Sequence, residues 1–311
     1  MTVLAQRDVF GETLVELCNE DARVVVLDGD LANSTKSDKV ALARPDRFFM
    51  MGIAEQNLAG VAAGMATVGL IPWVSSFAAF LASRDLDQIR VVIAQPRLNV
   101  KLAAHYSGIL TGYTGKTHQV VNDIAIMRSM PNMTVIAPCD GEETRAAIRA
   151  ATSWQGPVYM RLTRDPVRTA TTPGAAFEVG RAYLMKEGTD LAIVSTGTQT
   201  VRALEAADLL LQEGIGASVL HVPTIKPLDE EAIVALARRV PAVLACEEHS
   251  VLGGLGGAVA EVLAAHHPTR VTRLGIRDVD GESAPNDALL EKYGLNSQAI
   301  ATHARELLAA T

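Results

Sequence analysis

The 311 residues predict an α/β protein of two consecutive α/β domains, each a mainly parallel sheet covered by helices on both faces. Three observations carry that prediction. Short runs of β-branched and aliphatic residues, such as Val24-Val25-Val26-Leu27, alternate with helical stretches, and strands alternating with helices build parallel sheets. The runs are apolar throughout, as strands buried on both faces are. Around residues 169–176 the pattern dissolves into Thr, Pro, Gly and Ala, a linker composition. The expected division is residues 1–172, a linker over 173–186, and 187–311.

Taken in order, residues 8–19 form an amphipathic helix with Val9, Leu14, Leu17 and Cys18 inward. Residues 23–27 are the first buried strand. The polar stretch Asp28-Gly29-Asp30-Leu31-Ala32-Asn33-Ser34-Thr35-Lys36 follows at its carboxyl end, where α/β folds place their sites. After a strand at 48–51, a helix begins near Ala54 with Glu55 in its first turn. Leu58, Val61, Ala62, Met65 and Val68 lie on one face at helical spacing. Gly60, Ala62, Ala63, Gly64 and Ala66 keep its surface small, so another backbone can pack close. A strand at 71–74 leads into Ser75-Ser76-Phe77-Ala78-Ala79-Phe80, a helix at 84–93 and a strand at 99–104. A loop with Gly108, Gly112 and Gly115 then runs to Thr117-His118-Gln119. Helices at 122–130 and 142–152 alternate with strands at 133–137 and 158–162.

Beyond the linker, strands at 190–195, 217–222, 242–245 and 271–274 alternate with helices at 199–213, 253–265 and 297–309. Gly253-Gly254-Leu255-Gly256-Gly257 does not fit the Gly-x-Gly-x-x-Gly spacing of a dinucleotide loop. Tight packing of a helix on a sheet accounts for it.

Composition excludes several functions. The formal charge is −7, with no block of Lys or Arg, which argues against a nucleic-acid groove or an anionic membrane surface. Cys18, Cys139 and Cys246 lie far apart, favouring a reducing cytoplasm over a disulfide framework or a zinc site. Arg7, Asp8, Glu12 and Glu16 interrupt any leading apolar run, so no signal peptide is expected. No stretch reaches the roughly 18 apolar residues of a membrane span.

Singly, the polar and aromatic candidates have ordinary explanations. Glu55 complements a helix dipole from the surface, Phe77 and Phe80 at i, i+3 fill a core, His118 caps a helix, and Arg164 pairs with Asp165 or is solvated. Together they point elsewhere. Gly52-Ile53-Ala54-Glu55-Gln56-Asn57 resembles the signature of transketolase-type thiamine diphosphate enzymes, whose glutamate hydrogen-bonds the cofactor's aminopyrimidine. The resemblance covers nearly the full chain: a pyrimidine-binding domain, then a transketolase C-terminal domain. It implies the C-terminal half of a transketolase, encoded as a separate subunit that moves a two-carbon ketol unit from a ketose to an aldose.

The resemblance carries over residue by residue. Glu55 would be the catalytic and cofactor-binding acid, Asp30 would lie near the thiazolium, and Phe77 with Phe80 would enclose the aminopyrimidine. Ser34 would touch the substrate phosphate and Arg164 would hold the anionic tail. His118, in Gly-Lys-Thr-His-Gln, would contact the ketol hydroxyls, and His118 and His105 would shuttle protons near neutral pH. Where transketolases carry Gly-Glu-Asp-Gly, this chain has Gly112-Tyr113-Thr114-Gly115, followed by Lys116. The upstream histidine is displaced, with His105 one position early and Tyr106 in register. Losing an acid and gaining Lys116 predicts an altered or more anionic sugar, read partly by Thr114 and Lys116. Gly29-Asp30 lacks the full Gly-Asp-Gly…Asn pattern that binds magnesium and diphosphate. The chain therefore has no metal ligands of its own, and Mg2+ (or Ca2+) and diphosphate would be held by an N-terminal transketolase subunit in an α2β2 assembly. Competing readings are a 2-oxo acid dehydrogenase β subunit, a 1-deoxyxylulose-5-phosphate synthase-like enzyme, and a noncatalytic scaffold.

Overall fold

The computed structural model describes residues 2–310. The chain opens with β1 (Val3–Ala5), α1 (Gln6–Glu20), β2 (Val24–Asp28), α2 (Ala32–Thr35), α3 (Asp38–Ala43), β3 (Phe48–Met50), α4 (Glu55–Thr67) and β4 (Ile71–Phe77). Next come α5 (Ala78–Leu81), α6 (Leu86–Gln88) with a π-helical turn at Ile89–Ala94, and β5 (Lys101–His105). α7 (Asp123–Ser129), β6 (Thr134–Ile136), α8 (Gly141–Ser153), β7 (Val158–Arg161) and β8 (Pro166–Arg168) complete the first half. The second half begins with β9 (Tyr183–Lys186), β10 (Leu191–Ser195), α9 (Gln199–Gln212), β11 (Ala217–His221) and β12 (Thr224–Lys226). It ends with α10 (Glu230–Ala237), β13 (Ala242–Ser250), α11 (Leu255–His266), β14 (Arg270–Ile276), α12 (Asn286–Lys292) and α13 (Ser297–Ala309).

Two main sheets organise these elements, as the alternation predicts, and β1 pairs antiparallel with β8 in a small third one. The larger has the order β12-β6-β7-β5-β4-β2-β3 and is parallel except for β12. The smaller has the order β14-β13-β10-β11-β9 and is parallel except for β9. All five residues of β2 are buried, matching its unalternating sequence. On one face of the larger sheet, Leu27, Val74 and Leu102 pack with Leu58 of α4 and Ile124 of α7. On the other, Val24, Val26 and Trp73 pack with Phe10 of α1 and Ile148 of α8.

The structure departs from the sequence reading in several places. The polar stretch after β2 contains α2, because the buried Asp28 carboxylate folds it back. Asp28 accepts hydrogen bonds from the Leu31 amide (2.6 Å), Thr35 (3.1 Å) and Ser37 (2.8 Å). The expected linker over 173–186 takes in β9, an edge strand of the second sheet. β12 comes from beyond residue 187 yet pairs with β6 in the first sheet. Val68, expected on the inner face of α4, caps that helix and is 76% exposed; Glu55, Leu58, Ala59, Ala62 and Ala63 are buried instead.

Candidate active site

The site gathers at the carboxyl ends of β2, β4 and β5. From β3 the chain turns through Gly52 (φ +73°), and Glu55 starts α4. Its side chain is 5% exposed and accepts a 2.8 Å hydrogen bond at Oε1 from Nη1 of Arg84. The exposed, dipole-complementing reading of Glu55 is therefore replaced by a buried carboxylate with a charged partner. The Arg84 guanidinium also lies 4.1 Å from the Phe80 ring centroid, a cation–π contact. Its carbonyl accepts from Gln56 at 3.1 Å. Directly after it, Asp85 is fully buried with both carboxylate oxygens lacking a hydrogen-bond partner among the described residues. Burial, and then the nearby Glu55 charge, push its carboxyl up to about 7.

An aromatic group stands beside this acid. Phe77 and Phe80 are 5.7 Å apart between centroids, and Phe77 stacks on Tyr106 at 4.2 Å. His118 meets Phe80 edge-on at 5.5 Å and Phe77 at 6.0 Å, with Nδ1 2.9 Å from the Thr117 hydroxyl. The sequence places His118 in this company, 41 residues from Phe77, without predicting the contact. Phe80, Arg84 and Lys116 line a cleft of about 770 Å3, which Asp278 and Asp280 of the second half close on the far side.

A cationic group adjoins it. Arg7 Nη1 donates to the Tyr106 hydroxyl at 2.8 Å and to the Ser34 carbonyl at 3.2 Å. The Arg164 guanidinium lies 5.7 Å from the Tyr106 centroid, and its hydrogen bond to the Tyr106 hydroxyl holds its pKa above the ordinary value. Arg164 Nη1 also donates to Asp165 at 2.9 Å, as one of the two ordinary readings has it. Tyr106 adopts a left-handed φ of +57°, a costly backbone for a bulky residue, of the kind that collects at functional sites. Sequence reading missed Arg7 and Arg84. Each is one arginine among many, Arg7 at the start of α1 and Arg84 in the turn between α5 and α6, and only the fold brings them to Ser34 and Glu55.

Other expected residues stand differently. Asp30 and Thr114 are exposed at loop tips, Asp30 with φ +68° and Thr114 bonded through its hydroxyl to Thr111. His105 requires a correction. Its ring is wholly buried, meets Phe10 edge-on at 4.6 Å, and has both nitrogens without a partner among the described residues. Burial, aided by Arg7, pushes its pKa down to about 3, which together with the sealed ring counts against the expected role as a proton shuttle near neutral pH. Among the described residues, three potential metal ligands converge only at Cys139, Glu143 and His221. There His221 Nε2 lies 2.8 Å from Glu143 and Nδ1 2.7 Å from Thr200, so the histidine is engaged in a polar network.

A buried carboxylate, two phenylalanines and a facing histidine suit a flat nitrogenous ring. Two family profiles match in the same order: the transketolase pyrimidine binding domain over residues 3–169 and the transketolase C-terminal domain over 180–300. The chain belongs to the transketolase family. It is 44% identical over 303 residues to a putative transketolase C-terminal section of Methanocaldococcus jannaschii, covering 96% of this chain and 95% of that one. It is 41% identical to a 6-deoxy-6-sulfo-D-fructose transketolase subunit of Clostridium sp., covering 97% and 94%. A solved split gene transketolase, described as an inactive beta4 tetramer, superposes with a TM-score of 0.92 at 49% identity, over 98% of this chain and 99% of that one. The chain thus corresponds to the C-terminal subunit of a split transketolase. Among the described residues, no helix of this transketolase subunit is long and apolar enough to cross a membrane.

Proposed function

We propose that this subunit supplies the pyrimidine-holding and substrate-anion-holding parts of a transketolase site completed by a second polypeptide. The observation that carries the reading is Glu55, buried at the head of α4 beside the Phe77–Phe80–His118 group. Thiamine diphosphate, when bound, supplies the carbon nucleophile that lets a ketose carbon–carbon bond be exchanged for a new one. Glu55 would hold a proton at the aminopyrimidine ring nitrogen, with Arg84 fixing the orientation of its carboxylate. Phe80 and Phe77 exclude water around that proton, where a hydrogen bond is stronger than in solvent. His118 is half-buried between the cleft-lining Thr117 and Gln119, placed to give and take protons at the hydroxyls of a bound sugar.

Arg7, Arg164 and Lys116 are the cations offered to a small sugar with a phosphate or sulfonate tail, bound at Ser34. The sulfonated sugar in the Clostridium relative's name supports sulfonate as one of the two. Among the described residues, no three potential metal ligands converge near Glu55. An N-terminal transketolase subunit with the Gly-Asp-Gly…Asn motif would hold diphosphate and Mg2+ (or Ca2+), and an α2β2 assembly follows if the Glu55-bearing halves pair about a two-fold axis. The inactive beta4 tetramer of the split gene transketolase agrees with a subunit that needs a partner. Three buried, unpaired cysteines support a reducing, cytoplasmic setting.

The test is co-expression with that N-terminal subunit and assay of ketol transfer with thiamine diphosphate and Mg2+. Replacing Glu55 with Gln keeps the shape of the side chain and removes its charge. It should lower kcat by about 100-fold or more while the isolated chain keeps its circular dichroism spectrum. A Glu55→Gln complex as fast as wild type would identify the subunit as a scaffold.

A further inference from the structure

The loop that bears Thr114, Lys116 and His118 is backed along its length by the second half of the chain. Glu248, on β13 and 3% exposed, accepts at Oε1 from the amides of Ile109 (2.8 Å) and Leu110 (3.2 Å). Gly108, at φ +76°, is tolerated there because any Cβ would collide with that carboxylate. Asn286, at the head of α12, donates through Nδ2 to the Leu110 carbonyl at 3.1 Å and to Oδ2 of Asp165. Asp165 Oδ1 in turn receives Nη1 of Arg164. Gly112 has φ +56°, and a Cβ there would stand 2.6 Å from Oδ1 of Asn286. Gln119, next to His118, donates to the Glu282 carbonyl at 2.9 Å and to the Ile109 carbonyl at 3.0 Å. Two glycines of the loop therefore press against two polar side chains of the second half, and one of those side chains continues to Arg164.

We propose that Glu248 and Asn286 are positioning residues: the second half of the chain fixes the 108–119 loop and aims Arg164, and so sets the subunit's affinity for the anionic end of its substrate. The identity of that ligand rests on the function proposed above, whereas the loop geometry does not. Asn286 fixes Asp165 from the side opposite Arg164. Without it, the Asp165 carboxylate is free to swing with the guanidinium and neutralise it away from the anion. Glu248 holds two successive amides with one oxygen, so its loss frees the turn leading into Gly112. Asn286 reaches the anion-holding Arg164 through Asp165, so its loss bears first on acceptor binding.

The reconstituted two-subunit complex tests this with Asn286→Ala, using D-glyceraldehyde 3-phosphate and unphosphorylated D-glyceraldehyde as acceptors. The expected result is a KM about tenfold higher for the phosphorylated acceptor, with kcat and the KM of the unphosphorylated acceptor within about twofold of wild type. An unchanged KM, or an equal change for both acceptors, overturns the proposal. If alanine prevents folding, Asn286→Leu, which fills the space without a donor, is read by the same criteria. In parallel, hydrogen exchange at the Ile109 and Leu110 amides should quicken at least about tenfold in Glu248→Ala and return toward wild type in Glu248→Gln, whose amide oxygen still accepts. Unchanged exchange in Glu248→Ala overturns the proposal as well. Should the wild-type complex show no ketol transfer, the functional reading fails while the exchange measurement still judges the loop.

Discussion

At the residue scale, the acid centre is set by three neighbours in space that are not all neighbours in sequence. Arg84 holds Glu55, and the same guanidinium covers Phe80, so one side chain fixes both an acid and a ring. Asp85, buried with no hydrogen-bond partner for its carboxylate among the described residues, is the costly member of the group. Its folded-state pKa of about 7 lies above the unfolded value of about 3.9. The folded state thus binds more protons across that window, and stability falls as pH rises through it, with the cost fully present above 7. Asp85→Asn should match wild type near pH 4 and exceed it at pH 8 by on the order of 1–3 kcal/mol. Urea unfolding of the two proteins at both pH values measures this; a difference independent of pH would mean that Asp85 is ionised throughout. His105 acts in the opposite sense. Its pKa of about 3 lies below the unfolded value of about 6.5, so the unfolded chain takes up a proton first and stability declines as pH falls from 6.5 toward 3.

At the element scale, α4 presents two unlike faces. Glu55, Leu58, Ala59 and Ala62 are buried against the sheet, whereas Gly60 and Gly64 have no other described group within 4 Å of where a Cβ would stand, the helix's own backbone aside. Ile53 beside them is 76% exposed, and Met50 is 49% exposed. A helix interior gains about 0.5–1 kcal/mol when Gly becomes Ala. Gly64→Ala should therefore raise the stability of the isolated chain by that amount, measured by urea unfolding. Gly60→Leu should leave the isolated fold intact, since nothing is displaced, yet weaken association of the two-subunit assembly in sedimentation experiments. Normal assembly of Gly60→Leu would remove this face from the interface. α1 and α8 are joined differently, by Arg145 and Arg149 facing Glu12, Glu16 and Glu20. These pairs are largely solvated, and the apolar contact of Phe10 and Ile148 beneath them contributes more.

At the scale of the whole molecule, the two halves share a polar junction as well as a strand. Arg161, at the end of β7, donates through Nε to Asp123 at 2.9 Å and through Nη2 to the Glu248 carbonyl at 2.8 Å. Tyr159 adds a 3.0 Å hydrogen bond to the same Asp123. Arg161→Met would leave the buried Asp123 without its ion-pair partner, and should cost about 3–5 kcal/mol of stability. Urea unfolding checks the figure, and a loss below about 1 kcal/mol would show that the junction does not depend on this charge. Across the same junction, Glu143 of α8 meets His221 of β11. Together with β12, which crosses back to pair with β6, these contacts make the position of the second half a condition for the shape of the first.

The sequence by itself determined the α/β class, the two sheets and the family, because buried parallel strands need continuous β-branched runs and the Gly-Ile-Ala-Glu-Gln-Asn turn is long and specific. It also marked Phe77, Phe80, His118 and Arg164, which the fold gathers around Glu55 and Tyr106. Only the tertiary structure decided the rest. The sequence places His105 and Tyr106 side by side and says nothing of which enters the site; packing against Phe10 buries the first, and two guanidiniums hold the second. Arg7 and Arg84 carry no local signal, since a cation becomes part of a site only when a carboxylate, a ring or a hydroxyl from a distant segment is brought within a few ångströms. The same holds for Glu248, Asn286 and β12. Hydrophobic periodicity records which side of an element is buried, and it does not record which distant polar group will meet it there.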